Sequence, residues 1–312
     1  MKIIFMGTPE FACPTLQILA NMDSFEVLAV VTQEDKKVGR HQVLMSPPVK
    51  ILAQKLGIPV LQPQSLKENH EFIGLLRNLE PDFLVVVAYG HILRPEILEI
   101  PKIAAINIHT SLLPKYRGAS PVEQALLQGD QETGITIMKM DVGMDTGDVY
   151  VIQKIPITAN ETTETLKIKL SQLGATLLPS TLQAIYNQEL TPLPQNHSLA
   201  TYCKKISKED GKINFEQHSA EQILNMMRAF TPWPGCFFEV NEKKIKVLQA
   251  EIKSATSLKP SQCIITTEKK LLIGTTQENL QINEVQLEGK KALKIEEFLN
   301  GNKILFENGF II

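Results

Sequence analysis

Short apolar runs alternate with helix-like repeats along the first half of the chain. The runs at residues 2–6, 25–31, 82–88 and 103–108 predict buried strands, and amphipathic stretches lie between them. Apolar strands interleaved with helices usually form a parallel sheet that is covered on both faces. The pattern therefore predicts an α/β domain with a mostly parallel sheet.

The junctions between these elements carry further signals. Thr8 is expected to cap the first helix, with Pro9 in its first position. Two more strands are predicted at residues 134–140 and 148–155, followed by a long amphipathic helix from about residue 161 to about residue 186. Ligands of parallel α/β sheets lie beyond the carboxyl ends of the strands, so the loops that follow the strands are the candidate sites.

The pattern changes near residue 190. Residues 190–207 contain two prolines and have no clear period, which indicates a linker. A helix at 220–230 then precedes short strands at 236–240, 244–250, 263–267, 270–274 and 280–286. Short strands at this spacing are typical of a small β-barrel or sandwich. We expect a first domain over 1–189, a linker over 190–207 and a second domain over 208–312.

Composition excludes several classes of protein. The 312 residues are 43% hydrophobic and 21% charged, as in globular proteins, and the net charge of −2 gives no chain-wide signal for a polyanionic partner. The four cysteines are too scattered for a zinc site or a disulfide framework. No run of about 20 apolar residues predicts a membrane span, and the first residues resemble a strand more than a signal peptide. We expect a cytoplasmic protein with reduced thiols and no metal.

The main chemical feature is Asn107-Ile108-His109 at the end of a predicted strand. Residues two apart on a strand face the same side, so the amide and the imidazole should project together. Such a pair suits acyl transfer, because Asn107 can stabilise an oxyanion and His109 can move a proton. A capped strand end with a surface histidine is the alternative.

A second polar segment, from Asp141 to Gly147, contains Asp145 between two glycines. A carboxylate near His109 is expected to raise the pKa of the imidazole and to orient the ring. A turn, a helix cap or a weak cation site is the alternative. No serine or cysteine lies in a nucleophile motif, and Gly7 stands where a dinucleotide site needs three glycines. Direct attack by an external amine is therefore favoured over a covalent intermediate.

Together, Asn107-Ile108-His109, Ser111-Leu112-Leu113-Pro114 and Asp145 resemble the 10-formyltetrahydrofolate-dependent formyltransferase family. Longer matches point to the branch that acts on methionyl-tRNA; they are Met6-Gly7-Thr8-Pro9-Glu10-Phe11, Gly39-Arg40-His41, Met45-Ser46-Pro47-Pro48-Val49-Lys50, Tyr116-Arg117-Gly118-Ala119, the segment from Met140 to Gly147, and Arg228-Ala229-Phe230-Thr231-Pro232-Trp233-Pro234. The resemblance implies a Rossmann-like catalytic domain followed by an OB-like β-barrel. It also implies catalytic roles for Asn107, His109 and Asp145.

The resemblance implies substrates as well. The formyl donor would be 10-formyltetrahydrofolate and the acceptor initiator methionyl-tRNA, bound by a monomer. The folate site would comprise Ser111, Leu112, Leu113, Pro114, His91, Leu93, Asp141 and Val142. Arg40 would contact the acceptor end of the tRNA. Lys204, Lys205 and Lys208 form one of several lysine clusters that would follow a phosphate backbone if they share a face.

The expected reaction begins with attack of the neutral amine on the formyl carbon. Asn107 and a protonated His109 would stabilise the oxyanion, and either His109 or a water bound to Asp145 would carry the proton to the leaving nitrogen. Three other formyl-folate enzymes remain open at this point, acting on an amino-sugar nucleotide, on glycinamide ribonucleotide or on water. A tRNA-binding protein without catalysis is the alternative from another class.

Overall fold

A computed structural model of the chain describes residues 1–39, 42–254 and 258–311. The structure forms two compact units. One comprises Met1–Pro121, Glu132–Pro156 and Leu166–Cys203, and the other comprises Val122–Gln131, Ile157–Thr165 and the chain from Lys204 onwards. The predicted division into residues 1–189, 190–207 and 208–312 stays a prediction.

Seventeen strands occur in the described residues. They are β1 (Lys2–Gly7), β2 (Glu26–Val31), β3 (Lys36–Val38), β4 (Val43–Met45), β5 (Val60–Leu61), β6 (Phe83–Val87), β7 (Ala104–His109), β8 (Arg117–Gly118), β9 (Glu132–Lys139), β10 (Val149–Pro156), β11 (Tyr202–Cys203), β12 (Cys236–Val240), β13 (Lys243–Lys253), β14 (Cys263–Ile265), β15 (Leu271–Gly274), β16 (Asn279–Leu287) and β17 (Ala292–Lys294).

The same residues form eight α-helices and four short 3₁₀ turns. The helices are α1 (Cys13–Asn21), α2 (Pro48–Lys55), α3 (His70–Asn78), α4 (Pro95–Leu98), α5 (Pro121–Leu127), α6 (Thr163–Tyr186), α7 (Ala220–Ala229) and α8 (Ile295–Asn302). The 3₁₀ turns are Glu10–Ala12, His197–Leu199, Glu209–Gly211 and Lys303–Phe306.

The first unit is built on a seven-stranded sheet with the order β10-β9-β7-β6-β1-β2-β5. The five strands from β7 to β5 in that order are parallel, and β9 and β10 are antiparallel to their neighbours. β6 is buried along its whole length, as expected for a central strand with both faces covered. The predicted Rossmann-like, mostly parallel sheet is confirmed.

The parallel arrangement brings the carboxyl ends of β1, β6 and β7 to one edge of the sheet. Thr8, at the end of β1, lies at this edge. Its hydroxyl donates to the carbonyl of Tyr89 at 2.9 Å, and α1 begins only at Cys13. The prediction that Thr8 caps the first helix is therefore wrong, because the hydroxyl joins two strand ends instead.

The second unit contains an antiparallel sheet with the order β12-β13-β16-β15-β14, and β17 pairs with β16. Its inward side chains, among them Ile245, Leu280 and Ile282, are completely buried, and α8 adds Phe298 to the same apolar core. The register between β13 and β16 shifts near Gln249, and such bulges bend a strand and increase its twist. The sheet curls as a half-barrel, which confirms the predicted OB-like second domain.

Candidate active site

β7 carries the two polar side chains that the sequence singled out. His109 ends the strand and only 5% of its surface is exposed, while Asn107 is half-buried on the same side. Pairing with β9 sets Asn107 opposite Met138 and His109 opposite Thr136. The strand period thus gives both groups one face, as predicted.

The ring of His109 is held between two oxygen atoms. Its Nε2 lies 3.0 Å from the carbonyl oxygen of Tyr116, and its Nδ1 lies 3.6 Å from Oδ1 of Asp145. A carbonyl oxygen only accepts, so Nε2 carries a proton and donates it to Tyr116. In the neutral ring this leaves the lone pair on Nδ1, beside the carboxylate.

The pKa of His109 is lowered from its usual value of 6.5. Burial disfavours the imidazolium most strongly, the carboxylate of Asp145 and the Tyr116 carbonyl oppose this effect, and the charge of Arg117 adds to it. The predicted upward effect of Asp145 on the pKa is therefore present, but the net shift is downward. The physical reason is that desolvation of a ring buried this deeply outweighs one carboxylate 3.6 Å away.

Asp145 is fixed by backbone groups. Its φ is +54°, a backbone conformation that residues other than glycine rarely adopt. Its Oδ2 accepts a hydrogen bond from the amide of Gly118 at 2.7 Å. A Cβ on the neighbouring Gly147 would lie 1.9 Å from the carbonyl oxygen of Lys139, so only glycine fits there. The loop therefore presents Asp145 in one orientation.

Asp141 closes the start of the same loop. Its Oδ1 accepts from the amide of Gly143 at 3.0 Å and from the hydroxyl of Thr146 at 2.6 Å. This is the local turn chemistry typical of aspartate. The carboxylate of Asp141 thus stabilises the turn of the loop. Asp141 is also exposed and lines the cavity described next.

A cavity of about 200 Å³ opens where β7 and this loop meet. It is lined by His91, Ile92, Leu93, Asn107, Met138, Met140, Asp141, Val142, Gly143, Met144 and Asp145. Apolar side chains around a few polar groups are the usual form of a small-molecule site. The lining thus includes four of the predicted folate residues together with Asn107 and Asp145, whereas His109 is not part of it. A larger cavity of about 830 Å³ in the second unit has none of the predicted site residues in its lining.

The segment after β7 occupies a different position. Ser111 is completely buried and its hydroxyl donates to the carbonyl of Lys115 at 2.5 Å. The hydroxyl of Thr136 donates to the Ser111 carbonyl and accepts from the amide of Leu113. Leu112 and Pro114 are half-buried. None of these four predicted folate residues lines the 200 Å³ cavity. Their assignment to the folate site stays a prediction.

The predicted tRNA contacts are surface residues of the second unit or fall outside the described chain. Lys204, Lys205 and Lys208 are exposed, and the Lys204 ammonium pairs with Asp210 at 2.5 Å. Arg40 lies outside the described residues. The interaction of all four with tRNA stays a prediction.

The described residues show neither a metal site nor a membrane-spanning helix. Within 1–39, 42–254 and 258–311, no group of three or more His, Cys, Asp or Glu side chains is arranged to hold a metal ion. None of the helices in that part of the chain has the length and apolar character needed to span a bilayer.

Comparison with known proteins settles the family. The model of the family described as "Formyl transferase" matches residues 1–182, and that of its C-terminal domain matches residues 205–303. The chain belongs to the formyl transferase family. Membership of this family makes the chain a transferase. The catalytic roles of Asn107, His109 and Asp145 stay a prediction.

Relatives of this formyl transferase match along almost the whole chain. A methionyl-tRNA formyltransferase of Caldicellulosiruptor saccharolyticus is 45% identical over 307 residues, which is 97% of this chain and 98% of the relative. One from Geobacter metallireducens is 43% identical over 304 residues, covering 97% and 96%. The N-formyltransferase of Helicobacter canadensis, solved with folinic acid and dTDP-3-aminofucose, has a TM-score of 0.66 at 22% identity, covering 90% of this chain and 98% of that one. That likeness shows the fold alone.

Proposed function

We propose that this chain transfers the formyl group of 10-formyltetrahydrofolate to the α-amino group of initiator methionyl-tRNA. The observation that carries the proposal is that Asn107 and Asp145 line a cavity at the carboxyl edge of a parallel sheet, with the ring of His109 lying 3.6 Å from the Asp145 carboxylate. The names of relatives that are 43–45% identical over 97% of the chain support methionyl-tRNA as the acceptor.

Asn107 supplies the oxyanion donor in this proposal. Its amide borders the cavity, and no hydrogen bond in the described part of the chain occupies it. When the amine attacks the formyl carbon, negative charge develops on the formyl oxygen. An amide N–H that already lies beside this oxygen can stabilise the charge without moving during the reaction. One such donor contributes about 10²–10³ in rate.

His109 moves the proton. The α-amino group has a pKa of about 8, so a usable fraction is neutral near pH 7. As the new carbon–nitrogen bond forms, the amine becomes positive and gives a proton to Nδ1 of His109, whose lone pair is available. The imidazolium then lies between the Asp145 carboxylate and the Tyr116 carbonyl, which both favour it. It returns the proton to the folate nitrogen as the old carbon–nitrogen bond breaks.

The remaining assignments follow the same proposal. His91, Leu93, Asp141 and Val142 would hold the ring system of the folate at the cavity, and the segment Ser111, Leu112, Leu113 and Pro114 would support it from the adjoining strand end. Arg40 would contact the acceptor end of the tRNA. Lys204, Lys205 and Lys208 would contact its phosphates, because exposed lysines on a single segment suit a polyanion.

The deciding experiment offers purified protein and 10-formyltetrahydrofolate to three acceptors: initiator methionyl-tRNA, elongator methionyl-tRNA and an amino-sugar nucleotide. We expect formyl transfer to the initiator tRNA, with the sugar nucleotide unmodified. His109→Ala is the control for background chemistry. Transfer to the sugar nucleotide alone, or binding of tRNA without any transfer, would contradict the proposal.

A further inference from the structure

A buried arginine lies behind the Asp145 loop. Arg117, on β8, is only 1% exposed, and a guanidinium keeps its charge even when buried. Its Nε and Nη2 donate to Oε1 of Gln195 at 3.2 and 2.7 Å, and Nη2 lies 3.1 Å from Nδ1 of His197. Two of these bonds go to the Gln195 amide oxygen, so the arginine fixes the position of that amide.

The other end of the Gln195 amide holds the Asp145 loop. Its Nε2 donates to the carbonyl of Asp145 at 2.9 Å and to the carbonyl of Gly147 at 2.7 Å. The Gln195 side chain is only 7% exposed, so these bonds face little competition from water. One amide therefore ties two carbonyls of a loop about fifty residues away in the sequence.

The contacts of Gln195 fix the backbone of Asp145, whose carboxylate faces the imidazole of His109. Asp145 has a φ of +54°, and its carboxylate has to reach both the Gly118 amide and His109. We propose that Gln195 is a positioning residue for catalysis: held by Arg117, it fixes the Asp145 backbone so that the carboxylate faces Nδ1 of His109. The inference rests on the proposed formyl transfer.

The charge of Arg117 makes this positioning consequential. The guanidinium disfavours the imidazolium of His109, and the carboxylate of Asp145 favours it. If the loop relaxes, Asp145 moves away while the arginine remains, so proton uptake by His109 becomes harder. Gln195 thus acts on the chemical step and leaves the folate and tRNA contacts in place.

The test replaces Gln195 by Glu, which has the same size and still accepts from Arg117 but offers no N–H to the two loop carbonyls. We expect the single-turnover rate of formyl transfer to fall about tenfold to a hundredfold, the effect of a small misplacement of a reacting group. KM for both substrates should stay within about twofold. Gln195→Met, uncharged and of similar length, repeats the test, and circular dichroism checks that each variant folds.

Gln183→Glu is the matched control, because Gln183 is exposed on α6 and its amide donates to Asn187, one residue beyond the end of that helix. It should keep the wild-type rate.

A double-mutant cycle separates positioning from general stability. The Asp145→Asn variant lacks the carboxylate that Gln195 positions. Adding Gln195→Glu to this variant should therefore lower its rate by less than about twofold. A full additional loss there, or wild-type rates in both folded Gln195 variants, would overturn the inference. Failure of the proposed function is a different result, because the wild-type protein itself would then transfer no formyl group to methionyl-tRNA.

Discussion

The polar groups at the edge of the first sheet and the lysines of the second unit are held in opposite ways. The His109 and Asp145 side chains each contact a backbone group and are only 6% and 19% exposed. Lys204 is 76% exposed and Lys212 is 51% exposed, each beside one acidic residue. Buried groups keep a fixed geometry, which is needed to make and break covalent bonds. Exposed charges attract a partner through electrostatic interactions that dissolved salt weakens. The comparison predicts that mutations in the first region change rates and those in the second change affinities.

The largest effect should come from the edge of the sheet. Asn107→Ala removes an oxyanion donor that borders the cavity, so kcat should fall about 10²–10³-fold while tRNA affinity changes little. Steady-state kinetics with initiator methionyl-tRNA measures this, and a filter-binding titration measures the affinity. A loss of affinity with normal kcat would break the comparison.

The second prediction tests whether the Asp145 loop is rigid. A Cβ at Gly147 would lie 1.9 Å from the carbonyl of Lys139, so Gly147→Ala must push the loop away from β9. We expect a loss of about 1–3 kcal/mol in the free energy of unfolding, typical of overpacking, together with a reduced kcat. Urea unfolding checks the first part. Gly289→Ala is a useful contrast, because no atom lies within 4 Å of its added Cβ and any effect there comes from its φ of +73°.

The third prediction concerns pH and the neutral state of His109. Its folded pKa lies below the unfolded value of about 6.5, so the unfolded chain binds the extra proton and stability falls as the pH drops below about 6.5. One such proton contributes at most about 1.4 kcal/mol per pH unit. Urea unfolding between about pH 7.5 and pH 5.5 should give a smaller slope for His109→Asn than for wild type.

Burial also lowers the pKa of His218, so some slope should remain in the His109 variant. Asp145→Asn should steepen the dependence of wild type, because it removes the carboxylate that supports the imidazolium while Arg117 stays. An unchanged slope in His109→Asn would mean that folding leaves the pKa of His109 unshifted, and would contradict the lowered value.

The sequence predicted the architecture and the shared face of Asn107 and His109, because both follow short-range patterns. The apolar run at 103–108 became β7 at Ala104–His109, and the period of two placed Asn107 and His109 on one face. The role of Gln195 was missed, since residues 190–207 have no period and the contact with Asp145 exists only after the chain has folded back. The net lowering of the His109 pKa could not be predicted for a related reason, because a strand end in the sequence gives no measure of burial.

The smallest effects should come from the exposed lysines, and they sharpen the comparison within the second unit. Lys205→Ala should weaken tRNA binding less than about tenfold and lower the salt slope of the affinity by about one, as expected for one phosphate contact. Lys204→Ala should do less, because Lys204 already pairs with Asp210 at 2.5 Å. Asp210→Asn removes that competition and should strengthen binding at low salt, with kcat unchanged. Filter binding over a range of potassium chloride concentrations measures all three, and a salt slope that none of these variants alters would place the phosphate contacts on other residues.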